Sequence, residues 1–392
     1  MEAFFRTHNY LLNHVQSTVR RELMDEIDWS SRLIGIKGTR GIGKTTFLLQ
    51  YAKDCFGLDN RECLYINLNQ FYFTVNRIVD FAYDFHLKGG KVLLLDQVFK
   101  YPNWSEELRE CYDRFPELKI VFTGSSVMRL KEENPDLSGK VHSYNLRGYS
   151  FREFLNLMAK TDFPSFRLEE LLVNHIEIAK SVVAKVNPLA YFQDYLHHGF
   201  YPFFQEKRNF SENLLKTMNM ILEVDILLIK QIEQSYLSKL KKLLYLLYLE
   251  ISSAQPNVSQ LSKEIKTSRA TVMNYMKYMK DGRLMNLLYP YEEEFPKKPA
   301  KVYMQNPNLL FPIAPATVNE QIVRETFFYN QLFKDNKLNS SPKADFLVNG
   351  QMLFHIKESV VPNLHHEHYY AIEKMKTGAE NAIPLWLFGF LY

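Results

Sequence analysis

The chain has 392 residues, of which 46% are apolar and 23% are charged, and its formal net charge is +4. This balance is typical of a folded globular protein and excludes both an intrinsically disordered chain and a uniformly basic nucleic-acid-binding protein. The length exceeds that of one ordinary core and favours roughly two to four domains. Three cysteines without a CxxC pair give no basis for a disulfide framework.

The start of the chain and its longest apolar runs bear on targeting. The first 28 residues alternate polar and apolar side chains, without the continuous apolar core of a signal peptide. The longest apolar runs, 243–249 and 383–392, are shorter than the roughly 20 residues that a membrane-spanning helix needs. We therefore predict a cytoplasmic protein that has no membrane partner.

The first 149 residues are predicted to form an α/β domain, which begins with a leading helix within residues 9–26. The predicted strands are 33–37, 63–67, 92–95 and 119–123, and the helices between them are 45–54, 76–87 and 104–115. The strands are apolar throughout rather than alternating. This pattern is typical of a parallel sheet that is covered by helices on both faces.

A glycine-rich loop between the first strand and its helix carries a complete phosphate-binding pattern. The pattern GxxxxGK[ST] is formed by Gly38, Thr39, Arg40, Gly41, Ile42, Gly43, Lys44 and Thr45. Thr46 follows the pattern and is included in the predicted nucleotide-binding set. The glycines let backbone N–H groups wrap phosphate oxygens, and the helix adds its positive end. Lys44 should reach the β and γ phosphates, and the Thr45 hydroxyl should ligate Mg²⁺. We therefore predict ATP with Mg²⁺ as the ligand; a glycine-rich turn without a ligand is the alternative.

Two further strand ends complete the predicted nucleotide site. Asp96 closes the buried strand 92–95, which places it at the carboxyl edge of the sheet, where it can hold Mg²⁺ through water. Ser125 follows the strand 119–123 and is a candidate to sense the γ-phosphate or to position the attacking water. For both residues the alternative is a simple strand-end turn. The arginines that could stabilise charge in the transition state are Arg40, Arg129, Arg147 and Arg152.

Several segments together resemble one family, the bacterial and archaeal AAA-type ATPases that carry a C-terminal nuclease-like domain. These segments are 38–46, 94–104 (LLDQVFKYPNW), 120–130 (IVFTGSSVMRL) and 150–155 (SFREFL). Residues 195–202 (YLHHGFYP) are similar to that family's Tyr-Leu-x-x-Gly-Gly-x-Pro element, with Phe200 where the second glycine is expected. The resemblance implies a P-loop NTPase of the ASCE and AAA type with a parallel sheet domain, a helical lid, a winged helix and a small nuclease-like α/β domain.

One departure from this family concerns the chemistry of hydrolysis. The family normally follows the strand-end Asp with a Glu that activates water, whereas this chain has Gln97. An amide can orient a water molecule but cannot accept its proton at neutral pH. With Lys44, Asp96, Gln97 and Ser125 as the catalytic set, we therefore predict tight ATP binding with slow turnover.

The middle of the chain is predicted to be helical. Residues 150–236 are assigned to the lid and 237–295 to a winged helix, in which helices 258–265 and 269–281 flank a turn. The outward-facing residues that would meet a DNA groove are Thr271, Asn274, Lys277 and Tyr278. Residues 237–301 hold twelve Lys/Arg against six Asp/Glu, which suits contacts with phosphate. A packing surface or a protein-contact surface is the alternative to DNA binding.

The last segment, 296–392, begins with a proline-rich connector and returns to mixed α/β structure. A helix is predicted at 320–333, with strands near 345–348, 352–357 and 383–390. Glu325, Asp345, His355 and Lys357 resemble the PD-(D/E)xK nuclease layout, but His355 stands where the second acid belongs. One carboxylate and one imidazole make a poor site for a hard cation. We therefore predict a degenerate nuclease fold without nuclease activity, and a solvated loop at 365–368.

The leading functional hypothesis is a nucleotide-gated switch, in which ATP changes the surface that the protein presents to a DNA or protein partner. A DNA-binding regulator with ATP as a structural ligand is a second hypothesis. A third is an active ATPase motor, against which Gln97 argues. The sequence leaves the oligomeric state open.

Overall fold

The computed structural model describes residues 1–15, 19–128, 130, 135–206, 209–252, 255–360, 362 and 364–392. The chain divides into two compact units, Met1–Arg147 and Gly148–Tyr392. Within the described ranges, every helix is too short or too polar to cross a lipid bilayer.

The first unit is built on a sheet of five strands, all of them parallel. The strands are β1 (Leu33–Gly38), β2 (Cys63–Asn67), β3 (Val92–Asp96), β4 (Lys119–Ser125) and β5 (His142–Asn145), and the helices are α1 (Glu2–His14), α2 (Leu23–Glu26), α3 (Lys44–Phe56), α4 (Ile78–Leu87) and α5 (Trp104–Arg114). The strand order is β2-β3-β4-β1-β5. The prediction of an α/β P-loop fold with a parallel sheet is therefore confirmed.

This strand order brings the carboxyl ends of β1, β3 and β4 next to one another. Because all five strands are parallel, their carboxyl ends meet at one edge of the sheet. Strand β4 lies between β1, which leads into the glycine-rich loop, and β3, which ends at Asp96. Every residue of β3 is buried, which is why that strand is apolar up to its final acid. Strand β5 was not predicted, because its residues are polar and half-exposed at the edge of the sheet.

The predicted leading helix within 9–26 is wrong in its bounds, since α1 spans Glu2–His14 and α2 covers only Leu23–Glu26. Phe5, His8 and Leu12 are the buried residues of α1, at helical spacing. His8 Nδ1 accepts a hydrogen bond at 3.0 Å from the backbone N–H of Tyr65 in β2. Helix α1 thereby supplies a partner to an edge strand, whose outer N–H groups would otherwise lack one.

In the ranges that the structure describes, the second unit contains ten α-helices and two sheets. The helices are α6 (Phe151–Ala159), α7 (Leu168–Val183), α8 (Leu189–Asp194), α9 (Phe210–Met220), α10 (Leu227–Ile229), α11 (Leu237–Leu249), α12 (Val258–Glu264), α13 (Arg269–Asp281), α14 (Leu310–Ile313) and α15 (Glu320–Leu332). The strands are β6 (Met285–Leu288), β7 (Lys301–Met304), β8 (Leu338–Asn339), β9 (Phe346–Val348), β10 (Met352–Lys357), β11 (His368–Ile372) and β12 (Ala382–Pro384).

The two sheets of this unit differ in size. Strands β6 and β7 pair antiparallel directly after the helices α11 to α13. The larger sheet has the order β12-β11-β10-β9-β8 and is mixed, because β10, β11 and β12 are parallel while β8, β9 and β10 are antiparallel. The lid at 150–236, the winged helix at 237–295 and the nuclease-like domain at 296–392 stay predictions.

Three predictions within this unit are wrong. Only residues 383–384 of the predicted strand 383–390 are extended, at the end of β12, and Leu385–Phe390 is a buried 3₁₀ helix. Periodicity does not separate a short apolar run in a strand from one in a buried helix. The predicted loop at 365–368 ends in a strand, since His368 opens β11. The proline-rich connector contains β7, which pairs with β6.

Candidate nucleotide-binding site

The loop between β1 and α3 has the conformation that a phosphate-binding loop needs. Gly43 has a φ of 90° and caps α3 from the left-handed region, which a residue with a side chain rarely adopts. At Gly38 a Cβ atom would lie 2.7 Å from the carbonyl oxygen of Leu146 and 2.4 Å from Cδ1 of Ile42. Glycine is therefore required at both ends of this turn. Ile42 anchors the loop, because its side chain is buried.

The polar residues of the loop differ in exposure, since Thr39 is buried whereas Thr45 is exposed. Lys44, the first residue of α3, donates from Nζ to the carbonyl oxygens of Gly38 at 2.8 Å and of Thr39 at 2.7 Å. Its ammonium group is thereby folded over the loop. Thr46 and Gly41 are exposed, and the guanidinium carbon of Arg40 lies 6.0 Å from the ring centre of Phe99.

Asp96 is buried and accepts hydrogen bonds from three hydroxyls. Its Oδ2 atom accepts from the Thr45 hydroxyl at 2.7 Å and from the Tyr65 hydroxyl at 2.8 Å. Its Oδ1 atom accepts from the hydroxyl of Thr123, which belongs to β4. Burial, together with the negative charge of Asp96, raises the pKa of Tyr65, so this phenol stays a donor. The structure thus brings together Thr45 and Asp96, the two predicted metal residues, and their oxygen atoms suit Mg²⁺.

Gln97 and Ser125 lie at the same edge of the sheet. Gln97 has a φ of 60°, and its backbone N–H donates at 3.0 Å to the Thr123 hydroxyl, which itself donates to Asp96. The Gln97 side chain is half-buried. Ser125 is buried and stands in register with Gly38 on the neighbouring strand, and its Oγ accepts from the backbone N–H of Val127 at 3.4 Å. The end of β4 is therefore adjacent to the loop.

Three residues of this site were missed by the sequence analysis. Tyr65 lies inside an apolar strand and Thr123 at a strand end, and neither belongs to a motif that reveals its role. Arg21 is buried and donates from Nη1 to the carbonyl oxygen of Ile42 at 3.3 Å, and from Nη2 to that of Arg147 at 2.7 Å. The contacts of Tyr65 and Thr123 with Asp96 could have been suspected only because each is a polar side chain within or at the end of a predicted buried strand.

The four candidate arginines have different surroundings. Arg40 lies in the loop beside Phe99. The backbone of Arg147 receives a hydrogen bond from Arg21. Arg152, in the second unit, donates from Nε to the carbonyl oxygen of Tyr392 at 3.1 Å, which is a structural contact. Arg129 lies outside the described residues.

The predicted DNA-facing residues lie on α13. Asn274 is exposed, whereas Thr271, Lys277 and Tyr278 are half-buried. Nζ of Lys277 lies 4.4 Å from the ring centre of Phe295, and Nζ of Lys230 lies 5.9 Å from that of Tyr278. Two of the four side chains are thus occupied by cation–π contacts within the unit.

The acids of the nuclease-like pattern are engaged in the interior of the second unit. Glu325 is buried, and its carboxylate accepts from the Tyr303 hydroxyl at 2.6 Å and from Nε2 of Gln321 at 2.9 Å. Oδ2 of Asp345 accepts from the backbone N–H of Ile356 at 2.8 Å. Both acids therefore have structural partners.

His355 has a histidine rather than an acid beside it. Its Nε2 atom lies 2.9 Å from Nδ1 of His368, so one of the two rings donates to the other. Burial lowers the pKa of His355 below its usual value, which favours a neutral ring. In the part of the chain that the structure describes, no group of three or more His, Cys, Asp or Glu side chains is arranged to hold a metal ion.

Comparison with known proteins agrees with the geometry of the first unit. Residues 30–155 match a family model described as an AAA domain, and residues 189–314 match a domain of unknown function, DUF8612. These two matches lie on different parts of the chain. Together with the glycine-rich loop and the parallel sheet, the first match shows that residues 30–155 carry an AAA-type P-loop domain.

Among curated proteins, the uncharacterized protein MJ1637 of Methanocaldococcus jannaschii is 27% identical over 318 residues. The match covers 72% of this chain and 66% of that protein, so this chain spans just under two thirds of the relative's length.

Similar solved structures have low identity. A single-residue variant of RuvB from Thermotoga maritima has 13% identity and a TM-score of 0.28, over 78% of this chain and 91% of that chain. PCH-2 from C. elegans has 14% identity and a TM-score of 0.24, over 44% of this chain and 46% of that chain. At these TM-scores the similarity carries no argument about function.

Proposed function

We propose that the protein binds ATP with Mg²⁺ in the first unit and acts as a nucleotide-gated switch with slow hydrolysis. The observation that carries this proposal is the 2.7 Å hydrogen bond between the Thr45 hydroxyl and Asp96, directly beside the phosphate-binding loop. It supports the proposal because the two residues that we expect to hold Mg²⁺ are in contact where the anionic end of a nucleoside triphosphate would lie.

Binding of the phosphates would use the loop and the start of α3. The backbone N–H groups of the loop and the positive end of the helix attract phosphate oxygens. Lys44 already lies over the loop, and its ammonium would exchange the carbonyl oxygens of Gly38 and Thr39 for phosphate oxygens. A magnesium ion would neutralise further phosphate charge, with Thr45 as a direct ligand and Asp96 behind a water molecule.

Slow hydrolysis follows from the groups available to activate water. The carboxylate of Asp96 is occupied by three hydroxyls and by the metal that it would help to hold. Gln97, the next residue, can orient a water molecule but cannot accept its proton. A general base contributes roughly 10²- to 10⁴-fold to the rate of such a reaction, so an enzyme that lacks one remains bound to ATP for longer.

A switch also requires that ATP favours one conformation over another, because equal affinity for both shifts no population. Thr123 offers a route for this preference, since one hydroxyl joins the Asp96 carboxylate to the Gln97 backbone. A change in the groups bound to the Asp96 carboxylate would therefore alter the conformation of the segment that follows β3. We propose that this segment reports the bound nucleotide.

For the segment 237–295 we propose contact with a protein surface rather than reading of DNA. The cation–π contact of Lys277 with Phe295 supports this choice, because it leaves that ammonium less available to a DNA phosphate. Mobility-shift assays with random duplex DNA, with and without ATP, test the alternative. A salt-dependent shift that is lost on Lys277→Glu would support the DNA-binding regulator instead.

Calorimetry of Mg-ATP binding tests the proposed ligand. The unaltered chain should bind one ATP, and Lys44→Ala should weaken binding by roughly 100-fold, because a charged donor to phosphate is lost. Lys53→Ala is the matched control, since Lys53 lies on the last turn of the same helix and should have no effect. Equal ATP affinity in all three proteins would overturn the proposal.

Turnover of ATP tests the slow-hydrolysis part separately. Gln97→Glu should raise kcat by at least about tenfold, because it restores a carboxylate where water would be activated. ATP affinity should change little. Fast hydrolysis by the unaltered chain, or no gain from the Glu variant, would favour the motor hypothesis or a different base.

A further inference from the structure

We infer that Arg21 is a positioning residue that orients one peptide group of the phosphate-binding loop for its ligand. The inference rests on the proposed function, because it concerns how the same loop is held. Arg21 lies outside the loop motif, on the segment between α1 and α2, and only 7% of it is exposed. Its guanidinium donates to the carbonyl oxygen of Ile42 at 3.3 Å.

The orientation of the Ile42–Gly43 peptide follows from that contact. In a trans peptide the carbonyl and the next N–H point in opposite directions. Because the Ile42 carbonyl points towards the buried Arg21, the Gly43 N–H points to the other side of the peptide. That side is the open one, as Gly41 is exposed and Gly43 is half-exposed. A backbone N–H that points to the open side of the loop can donate a hydrogen bond to a phosphate oxygen.

Glycine makes this support necessary. A glycine peptide can rotate at small cost, because both signs of φ are accessible to it. Gly43 has a φ of 90°, and a charged donor on the preceding carbonyl opposes its reversal. Arg21 thus preorganises an amide that would otherwise have to be ordered when the nucleotide binds.

The second contact of Arg21 joins the loop to the end of β5. Its Nη2 atom donates to the carbonyl oxygen of Arg147 at 2.7 Å. The preceding residue, Leu146, donates from its backbone N–H to the carbonyl of Lys37 at 2.8 Å. Residues 146–147 are therefore tied to Lys37, just before the phosphate-binding loop, and through the guanidinium to Ile42 within the loop.

Arg32 provides a matched control in the same unit. Its Nη2 atom donates to the carbonyl oxygens of Tyr112 at 2.6 Å and Phe115 at 3.1 Å, where α5 ends. It also joins two backbone carbonyls through one guanidinium, but neither of them belongs to the loop. Loss of Arg32 should therefore affect stability without affecting phosphate recognition.

The experiment compares Arg21→Met, Arg21→Lys and Arg32→Met in the full chain. For each protein, Tm is measured, together with the affinities for Mg-ATP and for adenosine in a displacement assay. We expect Arg21→Met to weaken ATP binding by about tenfold or more and to leave adenosine affinity unchanged, because the lost amide faces phosphate. The Arg21→Lys variant can donate to one carbonyl but not to both, so its affinity for ATP should lie between those of Arg21→Met and the unaltered chain.

The outcomes separate this inference from the proposed function. If the unaltered chain binds no ATP, both are overturned. If it binds ATP and Arg21→Met binds equally well, or if Arg32→Met weakens ATP binding as much, only the role of Arg21 is overturned. If Arg21→Met does not fold, Arg21→Lys decides, and an unchanged ratio of ATP to adenosine affinity in that variant rejects the inference.

Discussion

The two units each contain buried acids that accept hydrogen bonds from hydroxyls, but the two acids differ in their surroundings. Asp96 accepts from Thr45, which is exposed at the start of α3 beside a loop suited to anions. Glu325 accepts from Tyr303 and has Lys301 at 3.6 Å, so its charge is matched by a cation of the protein itself. A buried acid therefore becomes a metal-site candidate through accessible oxygen neighbours, and not through its position in a motif.

The largest expected effect comes from removing the charge of Asp96. Asp96→Asn should weaken Mg-ATP binding by roughly 100-fold, because a neutral amide is a weaker partner for a water-bound divalent cation. Asp345→Asn is the matched change in the second unit and should leave ATP binding unaltered. Fluorescence titration with a labelled ATP measures both, and similar losses in the two variants would break the comparison.

Glu325 sharpens the comparison from the side of the second unit. Glu325→Ala should lower the free energy of unfolding by about 2 to 3 kcal/mol, because it leaves the buried Tyr303 hydroxyl without its acceptor. Glu325→Gln retains an acceptor and should cost less. Urea denaturation with and without Mg²⁺ checks both points. Stabilisation of the unaltered second unit by Mg²⁺ through Glu325 would contradict its structural role.

Stability of the first unit should depend on pH through His8. Burial lowers the pKa of His8 to about 4, whereas the same ring titrates near 6.5 when unfolded. Between these pH values the unfolded chain takes up a proton at His8 that the folded chain does not. The contribution of this site to the free energy of unfolding is therefore fully present above pH 6.5 and is lost as the pH falls towards 4. The loss should be of the order of 3 kcal/mol or less.

The control for that pH dependence is His8→Asn, whose Oδ1 can accept from Tyr65 in place of Nδ1 but does not titrate. Thermal unfolding from pH 4 to 7 should therefore vary less with pH in the variant. Equal slopes in the two proteins would assign the acid sensitivity to other groups.

The smallest expected effect is that of Tyr65→Phe. It removes one of the three hydroxyl donors to Asp96 without changing the packing of the ring, and should change Mg-ATP affinity by less than about tenfold. Tyr51→Phe is a suitable control, because Tyr51 is buried in α3 and stacks on Trp29 away from the acid. A loss as large as that of Asp96→Asn would show that Tyr65 acts directly on the ligand.

Much of the fold of the first unit could be predicted because its signals are local. The glycine-rich spacing needs only consecutive residues, and apolar strands ending in Asp96 or Thr123 indicate the carboxyl edge of a parallel sheet. Strand β5 could not be predicted, since a polar edge strand lacks an apolar run. The contacts of Tyr65 and Arg21 depend on elements that are distant in sequence, and a single chain offers no local signal for them.

In the second unit, less of the structure could be predicted from the sequence. The helices α12 and α13 were predicted near their observed positions, because amphipathic spacing is clear there. The segment 385–390 was misassigned because every residue in it is buried, which removes the periodicity that separates a strand from a helix. The pairing of Glu325 with Tyr303 and of His355 with His368 could not be read from the motif, since Tyr303 and His368 lie on other strands.

The most direct test of the central claim is calorimetric titration of ATP into the full chain, once with Mg²⁺ and once with EDTA. We expect one binding site whose affinity for ATP falls at least about tenfold when the metal is removed, because Thr45 and Asp96 would act on the phosphates through Mg²⁺. Absence of binding heat, or equal affinity under the two conditions, would contradict it.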